Sequence, residues 1–498
     1  MQNFLPAFIE ARCEAGESNG KFTATVLFVD VSGFTSLTEM AFKLGDAGAE
    51  LMSRELTRIF DPMVNAVHNR GGFIANFMGD AFTAVFPDED GSIHRAVDAA
   101  NEITDWFKEH GVSKTRHGEL EFGVKIGAEH GEIEWGIPHD PAVDARHWYF
   151  RGPAVEGASA AEGNAERGQL VLGDNIARHP DKDKEGGEVT PTEAVHDKKA
   201  LTRFFHHLVI EAGERAELRH VVSLFLQFNG AKDHATVEKV FHTLLAGTQR
   251  HGGTINKIDF GDKGFTALVF FGAPVASENA EAAAVSFAQS LNTTGLKEIE
   301  GVTMSAGIDA GLVYSGLLGG ERRNEWTCIG DAVNTSARLM SAAEPGQILV
   351  SQRVEKGAEK RWEFADKGTR VLKGKANEEQ VFQPSGLRGR VRGFVYRNPM
   401  IGRDKELANL MEFISPIYAD ETKFAGVMRL LGEPGLGKTR LVAALRAKLE
   451  EKGEPFHWIT MPCDGVHRSG WNAVSTWLRS FLGIAESASQ EDKRKAIE

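Results

Sequence analysis

Asp30, in the run Phe28-Val-Asp-Val-Ser-Gly-Phe-Thr35, and Asp80, in Asn76-Phe-Met-Gly-Asp-Ala-Phe82, are carboxylates in settings that suit divalent metal ions. Asp30 ends a β-rich run and Asp80 falls in a tight Gly-Asp turn of the next hairpin, so the two acids can meet across adjacent strands. Alone, Asp30 reads as a helix N-cap and Asp80 as an ordinary turn residue. As a pair they are the oxygen ligands that a hard cation takes. A different set comes later. Lys257 lies in Ile255-Asn-Lys-Ile-Asp-Phe-Gly-Asp-Lys-Gly-Phe265, and Thr327-Cys-Ile-Gly-Asp-Ala-Val-Asn-Thr-Ser-Ala-Arg338 carries Thr327, Asn334 and Arg338. Asn334 and Arg338 are one helical turn apart and share a face, and the guanidinium fork matches phosphate oxygens. A third motif is Gly432-Glu-Pro-Gly-Leu-Gly-Lys-Thr439, which follows an apolar run, Val427–Leu431, expected to be a strand. It precedes a helical run, Leu441–Leu449, so GxxxxGKT stands in the strand–loop–helix setting of a phosphate loop. The loop of Gly432, Gly435 and Gly437 would offer backbone N–H groups, Lys438 a charge and Thr439 a Mg²⁺ ligand.

The elements that must position these groups come in two copies. Gly71-Gly-Phe-Ile74 recurs 181 residues later as Gly252-Gly-Thr-Ile255. Gly152-Pro-Ala-Val155 and Gln169-Leu-Val-Leu172 recur 178 residues later as Gly330-Asp-Ala-Val333 and Gln347-Ile-Leu-Val350. In the first copy the periodicity predicts a strand over 23–31, a helix over 37–69 and two strands over 72–86 around Gly79-Asp80. A helix over 93–107 and a strand pair over 122–137, turning near His130-Gly131, complete it. The second copy repeats this order, which predicts an α+β fold with an antiparallel sheet covered by helices on one face. The expected boundaries are an N-terminal segment 1–20, copies over 21–200 and 216–385, a linker 386–398 and the start of a third domain over 399–498. Within these, Pro180–Ala200 is too polar to bury and reads as a loop or linker. Each copy lacks what the other has. Gln227 stands where Asp30 would, and Asn76, Glu156 and Ala160 take the places of Lys257, Asn334 and Arg338. One composite site between the copies is the simplest account.

Bulk properties narrow the class. The chain has 498 residues, 42% of them hydrophobic, and a net charge of −13, which disfavours nonspecific binding to nucleic acid or anionic membrane. No apolar run is long enough for a membrane span and no secretory signal is visible, so the cytoplasm is expected. Cys13, Cys328 and Cys463 follow no metal spacing, and the 17 histidines form no HExxH pattern.

The runs Phe28–Thr35, Gly71–Asp80 and Trp326–Arg338 together resemble the catalytic domains of class III nucleotidyl cyclases, over about residues 20 to 385. The tandem arrangement followed by a phosphate loop is similar to soluble adenylyl cyclases. The resemblance implies two ferredoxin-like domains paired as a pseudo-symmetric heterodimer in one chain, followed by a partial α/β P-loop NTPase domain. It implies formation of cyclic AMP and pyrophosphate from ATP with two divalent ions, Mg or Mn. Asp30, Asp80 and the Val31 carbonyl would hold the metals, and Ser32, Gly33, Phe34 and Thr35 would meet the phosphates. Asn334 would orient the ribose, Arg338 would stabilise the α-phosphate, and Lys373 would reach the terminal phosphates. Lys257 and Thr327 would read adenine, since a lysine donates to N1 and a hydroxyl can accept from N6. In bicarbonate-activated members the mirror-related pocket holds the anion with a lysine and an arginine. Asn76 and about Ser159 stand there in this chain, so direct stimulation by that route is not expected. An unknown protein partner through the C-terminal region is also expected. The competing reading is a catalytically silent nucleotide-binding module that regulates the P-loop ATPase.

Overall fold

The computed structural model describes residues 3–88, 91–179, 198–212, 216–261, 264–277, 279–372, 378–388, 400–419, 424–432 and 436–453, with isolated positions after that. It divides into two compact units, Met1–Gly386 with Gly465–Ser469, and Leu387–Asp464 with Gly470–Glu498. Most of the expected 180–200 and 386–398 linkers lies outside the described residues.

In the first copy the elements are β1 (Asn19–Ser32), α1 (Phe34–Leu44), α2 (Asp46–His68), β2 (Phe73–Met78) and β3 (Ala81–Pro87), then α3 (Ser92–His110), β4 (Gly123–Gly136), β5 (Tyr149–Arg151), α4 (Pro153–Gly163) and β6 (Leu170–Leu172). The sheet order is β6-β4-β1-β3-β2, with β5 on β4. In the second copy they are β7 (Glu217–Asn229), α5 (His234–His251), β8 (Gly253–Gly261), β9 (Gly264–Phe271) and α6 (Ala280–Thr293), then β10 (Thr303–Gly319), β11 (Asn324–Ile329), α7 (Asp331–Ala342), β12 (Ile348–Ser351), β13 (Trp362–Val371) and β14 (Glu378–Leu387). Its order is β8-β9-β7-β10-β12-β14-β13, with β11 on β10. The first five strands of each path therefore follow one plan. Among the pairings with a described register, all are antiparallel except β6 on β4 and β12 on β10, which are parallel.

Strand alternation decides what each face meets. Leu27, Val29 and Val31 of β1 pack with Phe34, Leu56, Ile59 and Ile103 of the helices. Ala24 and Val26 point the other way, into a cluster with Phe73, Ile133, Ala154 and, from the second copy, Val221, Phe270, Trp326 and Ala332. The expectation of helices on one face alone is therefore corrected. The second face is also covered, by α4 and by the second copy. Tyr314, Leu318 and Ile329 of the second copy lie in the helix-side cluster of the first. Polar contacts join the copies too: Glu321 N–H donates to Asp61 Oδ1 at 2.9 Å and His242 Nε2 donates to the His139 carbonyl at 2.7 Å.

Three further expectations change. The helix over 37–69 is two helices, because Gly45 adopts φ 59° and ψ −131° between them. The strand pair near His130-Gly131 is one unbroken strand: β4 pairs with β1 along its whole length, with Gly131 opposite Ala24. Residues 427–431 form no strand; Val427 and Leu431 are exposed, and among the described residues nothing pairs with them. An apolar run becomes a strand only where a partner satisfies its backbone. In that second unit, α8 (Asp404–Ala419) and α9 (Lys438–Lys452) bury Leu410, Leu441, Leu445 and Leu449 against each other. No described helix is long and apolar enough to cross a membrane.

Candidate active site

Alternation from Val26 through Phe28 places Asp30 on the face of β1 that looks toward the second copy. Its cross-strand partners are Ala81 on β3 and Lys125 on β4. The Val31 N–H donates to the Asp80 carbonyl at 3.0 Å, which ties the turn between β2 and β3 to the end of β1. The two acids feel each other. Burial and then the charge of Asp30 push the Asp80 carboxyl up to about 6. Burial raises Asp30 as well, and the ammonium of Lys125 opposes the rise. Like charges held together out of water call for a cation. Asp30, Asp80 and the Val31 carbonyl are all-oxygen donors, so these residues fit a hard divalent ion. Among the described residues no third acidic, histidine or cysteine side chain joins the pair.

The chain then enters α1 through Gly33, at φ 107°, where a Cβ would lie 2.4 Å from the Glu121 carbonyl. No side chain caps this helix start, so the amides of the first turn, around Phe34 and Thr35, are open to an anion. The Phe34 ring itself is core, while Ser32 is half-buried and Thr35 exposed.

Lys257 and Thr327 come together at the junction of the copies. The Lys257 ammonium donates to the Phe77 carbonyl of β2 and sits 3.1 Å from Glu325 Oε1. Glu325 Oε2 also accepts from the Phe77 N–H at 3.5 Å. Glu325 and Thr327 are two apart on β11 and so share a face. Thr327 is buried, and its Oγ1 donates to Asn256 Oδ1 at 3.2 Å. Asn334 and Arg338 sit on α7, exposed and half-buried respectively. Among the described residues no hydrogen bond or ion pair joins either side chain to the acids or to Lys257. The structure thus unites Asp30 with Asp80, and Lys257 with Thr327 and with the strand that leads to Asp80. It leaves Asn334 and Arg338 as a separate pair on their helix. Lys373 and Gly435 lie outside the described residues. In the second unit, Gly437 is left-handed at φ 84°, Lys438 Nζ donates to the Gly432 carbonyl at 2.8 Å, and Thr439 is exposed.

Two residues escaped the reading of the sequence. Lys125 is a cation set between apolar neighbours, Val124 and Ile126, and only the β1–β4 register brings it to Asp30. Glu325, two before Thr327, supplies the counter-charge of Lys257. The polar–apolar alternation in Glu325-Trp-Thr327 was a usable signal, but its partner was not.

The mirror-related position is different in kind. Gln227 lies opposite Thr266 and Ser305, as Asp30 lies opposite Ala81 and Lys125. A cleft there is lined by Asn76, Glu156, Ser159, Asp259 and Phe150 among others, with two carboxylates and no basic side chain. Asn76 Nδ2 donates to Asp259 Oδ1 at 3.2 Å, and burial pushes the Asp259 carboxyl up to about 6 against the nearby charge of Lys257.

Residues 223–384 match the family model described as adenylate and guanylate cyclase catalytic domain. That stretch of the chain is therefore similar to a cyclase catalytic domain. The relatives of this chain include human adenylate cyclase type 10, 23% identical over 546 residues that cover 93% of this chain and 33% of that protein. The rabbit (Oryctolagus cuniculus) adenylate cyclase type 10 is 25% identical over 537 residues, with the same coverage. The chain therefore spans about a third of the length of these curated relatives. Among solved structures, a class III adenylyl cyclase-like ATP-binding protein from Pseudomonas aeruginosa is similar at 15% identity, with a TM-score of 0.46, over 68% of this chain and 85% of that chain. The matched residues 223–384 are those of the second copy, β7 to β14, whose strand order the first copy shares.

Proposed function

We propose that this chain converts ATP to 3′,5′-cyclic AMP and pyrophosphate at a single site between the two copies. The observation that carries the reading is the placing of Lys257. Its ammonium, from the second copy, rests on the Phe77 carbonyl of the first-copy strand that ends beside Asp80. The base-reading group of one copy thus lies against the strand that leads to the metal-poised acid of the other.

Two divalent ions held by Asp30, Asp80 and the Val31 carbonyl would lower the pKa of the ribose 3′-hydroxyl and neutralise charge on the triphosphate. The remaining tasks fall to the chain. Lys257 gives one N–H to the Phe77 carbonyl and is ion-paired with Glu325, and another of its N–H donors meets N1 of adenine, an acceptor. Guanine presents a donor there. Glu325 holds the ammonium in place, and Thr327 accepts from the 6-amino group. The open amides of α1 and the ammonium of Lys125 bind phosphate oxygens beside the acids. Asn334 orients the ribose. Arg338, with no ion pair among the described residues, receives the charge that grows on the α-phosphate. The 3′-oxygen bonds to the α-phosphorus as the bond to the pyrophosphate oxygen breaks, and the hydroxyl proton passes to solvent water. The Gly432–Thr439 segment reads as a phosphate loop of a separate nucleotide site.

The test is cyclic AMP formation from ATP and Mn²⁺ by the full chain. Asp30→Ala and Asp80→Ala are each expected to reduce turnover to background while thermal unfolding stays cooperative. A near-native rate in either variant would refute the assignment. ATP binding without turnover in the unaltered chain would favour a regulatory nucleotide module instead.

A further inference from the structure

Base choice at the site rests on what the Thr327 hydroxyl does. A free hydroxyl is both donor and acceptor and would serve adenine's 6-amino group or guanine's 6-carbonyl alike. Here it is not free. Asn256 Nδ2 donates to the Trp326 carbonyl at 2.9 Å, and a carbonyl can only accept, so the amide is oriented with its oxygen toward Thr327. At 3.2 Å from that oxygen, the Thr327 hydroxyl must give its proton to Asn256. Only its lone pairs then remain for a ligand.

The placing of Asn256 depends on a bulge. The β8–β9 register shifts between Ile255 and Lys257, so Asn256 is the extra residue. Neighbours in a regular strand point to opposite faces, but a bulge re-aims them. Asn256 and Lys257 therefore both reach β11, one to Thr327 and the other to Glu325. The first copy holds the bulge from across the junction. His147 is buried, and its Nδ1 accepts from the Trp148 N–H at 3.0 Å, which leaves Nε2–H to donate to the Asn256 carbonyl at 3.3 Å. The first copy has the same bulge between Ile74 and Asn76, with Ala75 where Asn256 would be. Tyr149 takes the place of Thr327, opposite Gly136 as Thr327 is opposite Gly316. The amide–hydroxyl pair thus belongs to one cleft only.

We infer that Asn256 is a positioning residue for base selection: it fixes the Thr327 hydroxyl as an acceptor, so the site prefers a purine with an amino group at C6 over one with a carbonyl. This rests on the adenine-reading role of Thr327 proposed above. The experiment compares kcat/KM for ATP with that for inosine triphosphate, which has the same sugar and phosphates, in the full chain with Mn²⁺. Asn256→Ala is expected to lower the ATP-to-inosine preference about tenfold, the scale of one mismatched hydrogen bond at a buried polar site. Thr327→Val is expected to do the same, and the double variant no more than either. Asn256→Asp keeps an acceptor toward Thr327 and should keep most of the preference. The ratio is internal to each sample, so partial unfolding lowers both rates and does not move it. An unchanged ratio in Asn256→Ala, with a lowered one in Thr327→Val, overturns this inference and leaves the adenine reading standing. An unchanged ratio in both variants removes the adenine-reading role of Thr327 and this inference with it.

Discussion

At the scale of single residues, burial converts common side chains into specific ones. Asp30 and Asp80 are ordinary by type. Together, out of water and near each other, they are a pair whose charges are costly without a cation. Asp259 shows the same physics at the mirror-related cleft, faced by Lys257 on its own strand, Glu325 on β11 and Asn76 on β2. Its carboxyl, ordinarily at 3.8, titrates at about 6 in the fold. The folded state therefore holds this proton more tightly than the unfolded chain. By linkage, the stability it contributes is complete below the ordinary value and is lost as pH rises through about 6. Asp259→Asn preserves an acceptor for Asn76 and removes the charge. The variant should melt higher than the native chain at alkaline pH, with the gap closing toward the ordinary carboxylate range. Thermal unfolding across that pH range checks it, and an equal offset at every pH would contradict it.

At the scale of elements, glycine sets how closely helix and sheet approach. A Cβ at Gly307 of β10 would lie 2.1 Å from the Ser336 carbonyl oxygen of α7. One at Gly127 of β4 would lie 2.1 Å from the Ala158 carbonyl oxygen of α4. Neither backbone can yield cheaply. Gly307→Ala should destabilise the first unit by about 1–3 kcal/mol, the usual range for an overpacked core. Because α7 carries Asn334 and Arg338, kcat should also fall more than in Gly127→Ala, whose helix has Glu156 and Ala160 at those places. Denaturant unfolding and single-turnover rates separate the two effects. Elements also explain the misread segments. A helical period continues across Gly45 in the sequence, yet the chain turns there. The apolar run 427–431 has strand composition but no described partner.

At the scale of the whole molecule, the duplication was legible because glycines and short apolar runs recur at nearly constant spacing, and both copies do follow one strand order. The asymmetry between them has an electrostatic consequence. The cleft of Asn76, Glu156, Ser159 and Asp259 presents carboxylates, which repel a small anion at short range. Bicarbonate added at constant pH and ionic strength is therefore expected to leave cyclic AMP formation unchanged. A dose-dependent rise that Glu156→Gln abolishes would overturn that expectation.

Local order along the chain was enough to reveal the repeat, the α+β class, the acid pair in its hairpin, and the turn of helix with Asn334 and Arg338. The repeat depends on recurrence at a near-constant offset and the others on spacing between near neighbours, both of which a sequence records directly. Three things were decided by tertiary structure alone: the register that sets Lys125 beside Asp30, the ion pair of Lys257 with Glu325, and the chain of hydrogen bonds from Trp326 through Asn256 to Thr327. Each joins residues distant in sequence across strands, and a hydrogen bond's direction depends on every other partner of its atoms. That information exists only once the strands have paired.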